Sequence, residues 1–324
     1  MRLSKSIKWI VLVMIVGVVG AVVALNRDWL DDWWKGLGYR PSDEMALIRD
    51  KLQLTDRGRF VFDAVGPVLS GSEEFNSHCR TDYEKEEAIL GCYVDDNVYV
   101  YNITAEELSG IRELTAAHEL LHAVWARMSE SDKGDLAPLL AEVAEANSAI
   151  LTEELETYDD SQRQEELYVR AGTEVKQLPD GLEKHYAEIF ADQDKVVGYY
   201  DSYIGVFNRM KAEMDQLMAE MEGIRAQIDS LSSNYESRLA QLNERIAIFN
   251  DCANRVGCFA SESEFYSQRN ALIGEQDSLM GVYGEIERLV AEYNEKVWKY
   301  NEDVAYSNKL NNIVNSNAKP EKVE

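Results

Sequence analysis

Thr115-Ala116-Ala117-His118-Glu119-Leu120-Leu121-His122 reads H-E-x-x-H inside a helical pattern. Two imidazoles four residues apart share one helix face, about one turn of rise between them, so both can reach one ion. Glu119 stands to one side of the pair, where it can take a proton from water that the ion has acidified. That is the spacing a zinc hydrolase needs. The chain holds 4 His among 324 residues, so the motif would arise by accident on the order of once in a hundred such chains. Ile111, Leu114, His118, Leu121, Trp125 and Met128 recur at spacings of 3 and 4, which predicts an amphipathic helix with His118 on its buried stripe. The competing reading is two ordinary histidines on a half-buried helix.

Immediately upstream, Val98-Tyr99-Val100-Tyr101-Asn102-Ile103 is β-branched and aromatic and reads as a strand. Thr104 with Glu107 forms a capping box for the motif-bearing helix. Farther back, Ser42 caps a short helix carrying Met45, Leu47, Ile48 and Leu52. Thr55 opens another, with Phe60, Val61 and Ala64, that ends at Gly66-Pro67. Residues 70–97 read as loop-rich and hold Cys79 and Cys92, and His78 there is either a solvated loop histidine or a ligand.

Downstream, residues 131–157 carry a second helix on Leu136, Leu139, Leu140, Val143, Ala146, Ile150 and Leu155. Its acids are a solvated face. A zinc site with two His needs a third protein ligand. Residues 123–128 are Ala-Val-Trp-Ala-Arg-Met, so no third His follows the motif, and the ligand must come from a separate element. On His118, Glu119 and His122 the chain resembles the zincin metallopeptidases, and more narrowly their gluzincin branch. There a Glu on a downstream helix completes the site. The family's usual short motif, Glu then a small residue then Asp, is not cleanly present. The resemblance points to Glu166, within Gln164-Glu165-Glu166-Leu167-Tyr168, with Glu174 and Glu165 as alternatives. It also implies an oxyanion-stabilising His or Tyr, for which His185 or Tyr186 stands available after the break at Pro179-Asp180-Gly181. A structural histidine is the competing reading of His185. Finally, it implies that a strand over the active-site helix binds extended substrate by strand addition, a role that would fall to 98–103 unless that strand is interior.

From Phe207 the pattern changes. Phe207, Met210, Met214, Leu217, Met221, Ile224, Ile228, Leu231 and Tyr235 alternate spacings of 3 and 4, and Leu242, Ile246 and Phe249 continue after one stutter. Leu272, Gln276, Leu279, Tyr283, Ile286, Val290, Tyr293, Val297, Tyr300 and Val304 repeat it. Two helices of about 40 residues, joined by the short Asn250–Ser263 connection, pack as antiparallel neighbours. Homodimerisation through the same stripes is the alternative. Cys252 and Cys258 fall in the tip. The Asn-rich end reads as a frayed tail.

At the other terminus, Arg2, Lys5 and Lys8 precede an unbroken apolar or Gly run from Trp9 to Leu25. Trp9 and Trp29 are 20 residues apart, about 30 Å along a helix, matching a hydrocarbon core with an aromatic at each interface. The positive flank stays inside, so the bulk of the chain lies outside the cytoplasm. A cleaved signal peptide with Val22-Val23-Ala24 at its site is the competing reading. In that compartment the two local Cys pairs read as disulfides, against free thiols or a second metal site. The net charge of −26 makes nucleic acid and anionic headgroups poor ligands.

The expected fold is mainly α with an α+β head. Residues 1–8 are cytoplasmic, 9–25 a transmembrane signal-anchor and 26–41 a linker. A zincin-like helical domain with a small β element covers 42–204, an antiparallel coiled-coil hairpin 205–306, and a flexible tail 307–324. The expected function is a single-pass, membrane-anchored, extracytoplasmic zinc endopeptidase acting on a protein or peptide. His118, His122 and Glu166 hold Zn2+, Glu119 is the general base and His185 assists. The hairpin positions substrate, restricts access or binds a partner. The alternative is a non-catalytic envelope scaffold in which the coiled coil works and the zinc site is structural or vestigial.

Overall fold

The computed structural model describes residues 27–79, 89–148, 151 and 160–317. The apolar run 9–25 lies outside them, and among the described residues no helix is long and apolar enough to cross a membrane. The chain is mainly helical and divides into two units, residues 1–206 with 310–324, and residues 207–309.

In the first unit, α1 (Arg27–Gly38), α2 (Asp43–Lys51) and α3 (Asp56–Val65) follow one another. The Ser42 and Thr55 hydroxyls cap α2 and α3 by accepting from the Met45 and Gly58 N–H groups. Gly66 ends α3 in the left-handed region, φ 53°, where a Cβ is strained. The linker expected over 26–41 is thus mostly helix.

The stretch expected to be loop-rich holds two elements, α4 (Ser72–His78) and β2 (Gly91–Val94). With β1 (Val68–Ser70) and β3 (Asn97–Tyr101), β2 forms a three-stranded sheet of order β1-β3-β2. β1 runs parallel to β3, and β2 pairs antiparallel in the register Gly91↔Val100 and Tyr93↔Val98. Asp95 and Asp96, at φ 49° and 60°, make the two-residue hairpin turn between β2 and β3. The strand read at 98–103 is therefore interior, paired on both sides, and has no edge to offer. β1 and β2 are the edge strands, and of the two it is β2 that lies along the motif helix, Ile111–Arg127. The Cys79–Cys92 disulfide ties β2 to the end of α4.

The motif helix is α5 (Ile111–Arg127). The expected capping box does not open it: a 3-10 turn, Glu106–Leu108, intervenes, and Gly110 precedes the first helical residue. Its buried face is wider than the expected stripe, and His118 lies on the open side rather than in that stripe. Ala116, Ala117, Leu120, Leu121 and Ala123 are wholly buried, because β2 and β3, α2 and α3, and α7 (Asp160–Glu174) all pack on it. Alanines on those faces let neighbouring backbones approach, and the face bearing His118 and His122 stays partly open. α6 (Glu130–Ala146), capped by Ser129, comes next and packs on α7. Of the remainder of the helix expected to reach 157, residues 149–150 and 152–157 lie outside the described ones. α8 (Asp180–Tyr186) starts directly after Pro179, so Asp180 and Gly181, expected in the break, belong to its first turn.

α9 (Gln193–Ala253) and α10 (Glu262–Val314) supply the second unit over residues 207–309. They are longer than the 40 residues expected and antiparallel: Arg238 pairs with Glu275 and Lys296 with Glu220. On α9 the stripe faces inward as expected. On α10 it shifts by one residue at alternate steps. Tyr283 and Val290 are exposed and Gln276 with them, while Val282 and Leu289 turn inward. A 3-4 repeat can start on either step, and Leu289, larger than Val290, takes the seam. Cys252–Cys258 staples the tip, where Phe249, Phe259 and Phe265 cluster. The described part of the expected tail, residues 307–317, is helix as far as Val314. Leu310 and Val314 are buried, and the Asn76 side-chain amide donates to the Ser316 carbonyl within the first unit.

Candidate metal centre

α5 and α7 cross so that the open face of α5 meets the first turns of α7. His118 and His122 project from α5 at i and i+4, and Glu166 meets them from α7. Donor atoms of these three residues all lie within 4.8 Å of one another. Glu166 Oε1 is 3.7 Å from His118 Nε2, and Oε2 is 3.5 Å from His122 Nε2. Four ligands on zinc bonds of about 2.0–2.1 Å stand about 3.3 Å apart, so this donor set fits the ion with small adjustments. Two imidazole nitrogens and one carboxylate oxygen also match its ligand preference. Of the three carboxylates weighed as third ligand, Glu166 is the one in the donor set.

Glu165 takes a different place. Its Oε1 is 2.8 Å from His122 Nδ1. A proton on Nδ1 donates to that carboxylate, which leaves the Nε2 lone pair aimed at the ion site and fixes the tautomer. Glu174 is committed elsewhere: it accepts from Arg170 Nε and Nη2 at 2.9–3.1 Å, a buried pair on the next turns of α7.

Glu119 lies beneath β2. It is 6 % exposed yet lines the same cleft, and it accepts from the Tyr93 backbone N–H. The approach is so close that it requires glycine at position 91. A Cβ there would sit 2.5 Å from Thr115 Cγ2 and 2.6 Å from Glu119 Oε1. Neither Gly91 nor Tyr93 was identified from the sequence. The available signal was a glycine at the start of an apolar strand, which marks close backbone approach.

The charges are set by burial and neighbours. Burial pushes the Glu119 carboxyl up to about 7, against the pull of His122. Burial likewise drives His118 down to about 4, against Glu166. Burial works against a charge on His122 too, but the hydrogen bonds its ring donates to the Glu165 and Glu166 carboxylates win and raise it to about 10. Burial opposes the Glu166 charge, but the imidazoles of His118 and His122 and the Arg170 guanidinium hold it down at about 2. Without an ion, the site is thus a neutral His118 beside a His122–carboxylate ion pair. Glu119 is poised near neutrality, which suits a general base.

The cleft has a volume of about 740 Å³. Its walls include residues 89–93 of the β2 edge, the metal-site face of α5, α7 and the tyrosines Tyr200 and Tyr203. His185 and Tyr186, expected as oxyanion stabilisers, are not among its lining residues. His185 Nε2 is 2.9 Å from the Tyr168 hydroxyl, and the buried Tyr186 hydroxyl donates to the Tyr168 carbonyl. Both belong to an aromatic cluster with Trp125 that braces α7 against α5 and α8. The structure thus places His185, expected to assist catalysis, outside the cleft and in a packing role against Tyr168. His78 stacks on Tyr99 at 4.1 Å and is outside the donor set.

No family model matches the chain, nor does any curated protein or solved structure.

Proposed function

We propose that this chain is a membrane-tethered, extracytoplasmic, zinc-dependent endopeptidase. The observation that carries the proposal is the convergence of His118, His122 and Glu166 on one point of an open cleft, with the buried Glu119 carboxylate beside them. Zinc, when bound there, acidifies water and polarises a carbonyl. The chain's own residues do the rest. Glu119 takes a proton from the attacking water and hands it to the leaving amine. The Tyr93 N–H holds the carboxylate in place, and the packing of Gly91 over it excludes bulk water. Glu165 keeps His122 in the ligating tautomer. The edge of β2, running along the cleft, is a template on which an extended peptide can add as a further strand. The tether is residues 9–25, and two disulfides suit an oxidising compartment.

The test is zinc content together with cleavage of unfolded casein by the full chain, wild type against Glu119→Gln. Both forms are expected to hold one zinc, and the variant to lose activity by a factor of about 10² or more. Zinc bound with no cleavage by wild type would overturn the enzyme reading and leave the scaffold with a structural ion.

A further inference from the structure

α1 is amphipathic in the reverse sense. Its polar and small residues face the protein: Asp32 is buried in an ion pair with Arg127, and a Cβ on Gly36 would rest 3.7 Å from Asp63 and Ala64 of α3. Trp29, on the same side, stacks on Phe60 at 6.0 Å. The opposite side carries Leu30, Trp33, Trp34 and Leu37, at i, i+3, i+4 and i+7. Trp33, Trp34 and Leu37 are 45 %, 72 % and 53 % exposed. A continuous apolar stripe with two tryptophans does not stay in water without a partner.

The position of α1 in the chain says what that partner is. Only Asn26 separates Arg27, the first residue of α1, from the uncharged run that ends at Leu25. Even a fully extended link of two residues reaches no more than about 7 Å. With residues 9–25 in a bilayer, α1 is held at headgroup depth, where tryptophan is enriched and where an amphipathic helix lies with its apolar face in the acyl boundary. The net charge of −26 argues for zwitterionic rather than anionic lipid.

We infer that the Leu30–Trp33–Trp34–Leu37 face of α1 lies in the interface of the bilayer that holds residues 9–25. Through Asp32 and Gly36 it seats the head directly on that surface, rather than letting it swing on a linker. This rests on the tether in the proposed function and is independent of the zinc chemistry.

The experiment places the full chain, one copy per disc, in phosphatidylcholine nanodiscs. Discs brominated high on the acyl chain are compared with plain ones. The fluorescence lost on Trp33→Ser/Trp34→Ser isolates the two tryptophans from the other four. That difference signal is expected to be quenched at least about twofold by the bromolipid and to be shielded from acrylamide. If the chain stays with the disc while the difference signal is open to acrylamide and untouched by bromine, this inference is overturned and the tether stands. Failure of the chain to partition with discs overturns both. Shielding seen only in vesicles holding many copies assigns the face to a second copy and also overturns it.

Discussion

Glu165 Oε1 stands 2.8 Å from His122 Nδ1, on the far side of the ring from Glu166, whose Oε2 is 3.5 Å from Nε2. Two consecutive residues of α7 therefore bracket one imidazole. In the metal-free protein this bracket keeps a proton on the ring. With an ion at Nε2 it leaves that proton on Nδ1 alone.

The first consequence is a pH dependence of zinc binding. Burial disfavours a charged His122, but its two carboxylates raise it to about 10, so near neutral pH the ion must displace the Nε2 proton. A folded-state value raised in this way means that protons compete at every pH below it. Apparent zinc affinity is expected to rise about tenfold per pH unit up to about 10, with about one proton released per ion near pH 8. Competitive chelator titrations at several pH values check the slope. Calorimetry in buffers of different ionisation enthalpy counts the protons. A pH-independent affinity above pH 7 would show that the bracket does not hold the proton.

The second concerns which carboxylate does what. Glu166→Ala is expected to abolish stoichiometric zinc, because it removes one of three donors. Glu165→Gln keeps the donors but weakens the hydrogen bond that sets the tautomer, and is expected to weaken zinc binding by about 10- to 100-fold. Glu174→Gln, which disturbs Arg170 outside the donor set, is expected to leave stoichiometry unchanged. Metal analysis of folded, dialysed proteins separates the three. Full zinc in Glu166→Ala would remove that residue from the site.

Much of this was legible in the chain because it is local. His118, Glu119 and His122 lie on one helix, so their spacing alone sets their mutual geometry. Glu166 was reachable because two histidines demand a third donor and the resemblance to gluzincins puts that donor, a Glu, on a downstream helix. What stayed hidden depends on contacts between distant segments. Gly91 means nothing until β2 is laid across Thr115 and Glu119. β2 itself was obscured because its hairpin turn is Asp95-Asp96 rather than a glycine-bearing pair, and because it is only four residues long. Burial of α5 on nearly all sides was masked by its alanines, which do not advertise a buried face. His185 looked available because a lone histidine on a helix carries no sign of its partner, and Tyr168 is 17 residues away. On α10 the seam was misplaced at Val290 because Leu289 stands beside it.

Gly91→Ala tests the packing over the general base. The added methyl would meet Thr115 Cγ2 at 2.5 Å and Glu119 Oε1 and Cγ at 2.6 and 2.7 Å. β2 must lift or the Glu119 side chain must leave its place under the Tyr93 N–H. The variant is expected to lose about 1–3 kcal/mol of stability, to lose casein cleavage by a factor of about 10 or more, and to retain its zinc. Urea unfolding, metal analysis and cleavage assays read the three separately. Unchanged cleavage would mean that the position of Glu119 under β2 is not needed for the chemistry.

Arg127→Met tests what holds the β2–β3 turn in place. Arg127 donates to Asp32 on α1 through Nε and Nη2, to Asp96 in the turn, and to the Tyr93 hydroxyl, which itself donates to Asp96. Removing the guanidinium takes both Arg127 hydrogen bonds from the buried Asp32 and leaves Asp96 with Lys35 and the Tyr93 hydroxyl, and is expected to cost about 1–3 kcal/mol. The loss should depend on pH with a definite sign. Burial opposes the Asp96 charge, but Lys35, Tyr93 and Arg127 outweigh it and hold its carboxyl below the usual value. A group depressed on folding stabilises the protein above its ordinary pKa, and that contribution is lost as pH falls through the depressed value. The gap between wild type and variant should therefore be full at neutral pH and shrink below the ordinary carboxylate range. Because Tyr93 also carries the N–H that holds Glu119, cleavage should fall in this variant even under conditions where it is fully folded. Urea midpoints across pH 3–8 and cleavage at pH 7.5 provide the readings. A gap that widens on acidification would mean that Arg127 does not act through Asp96.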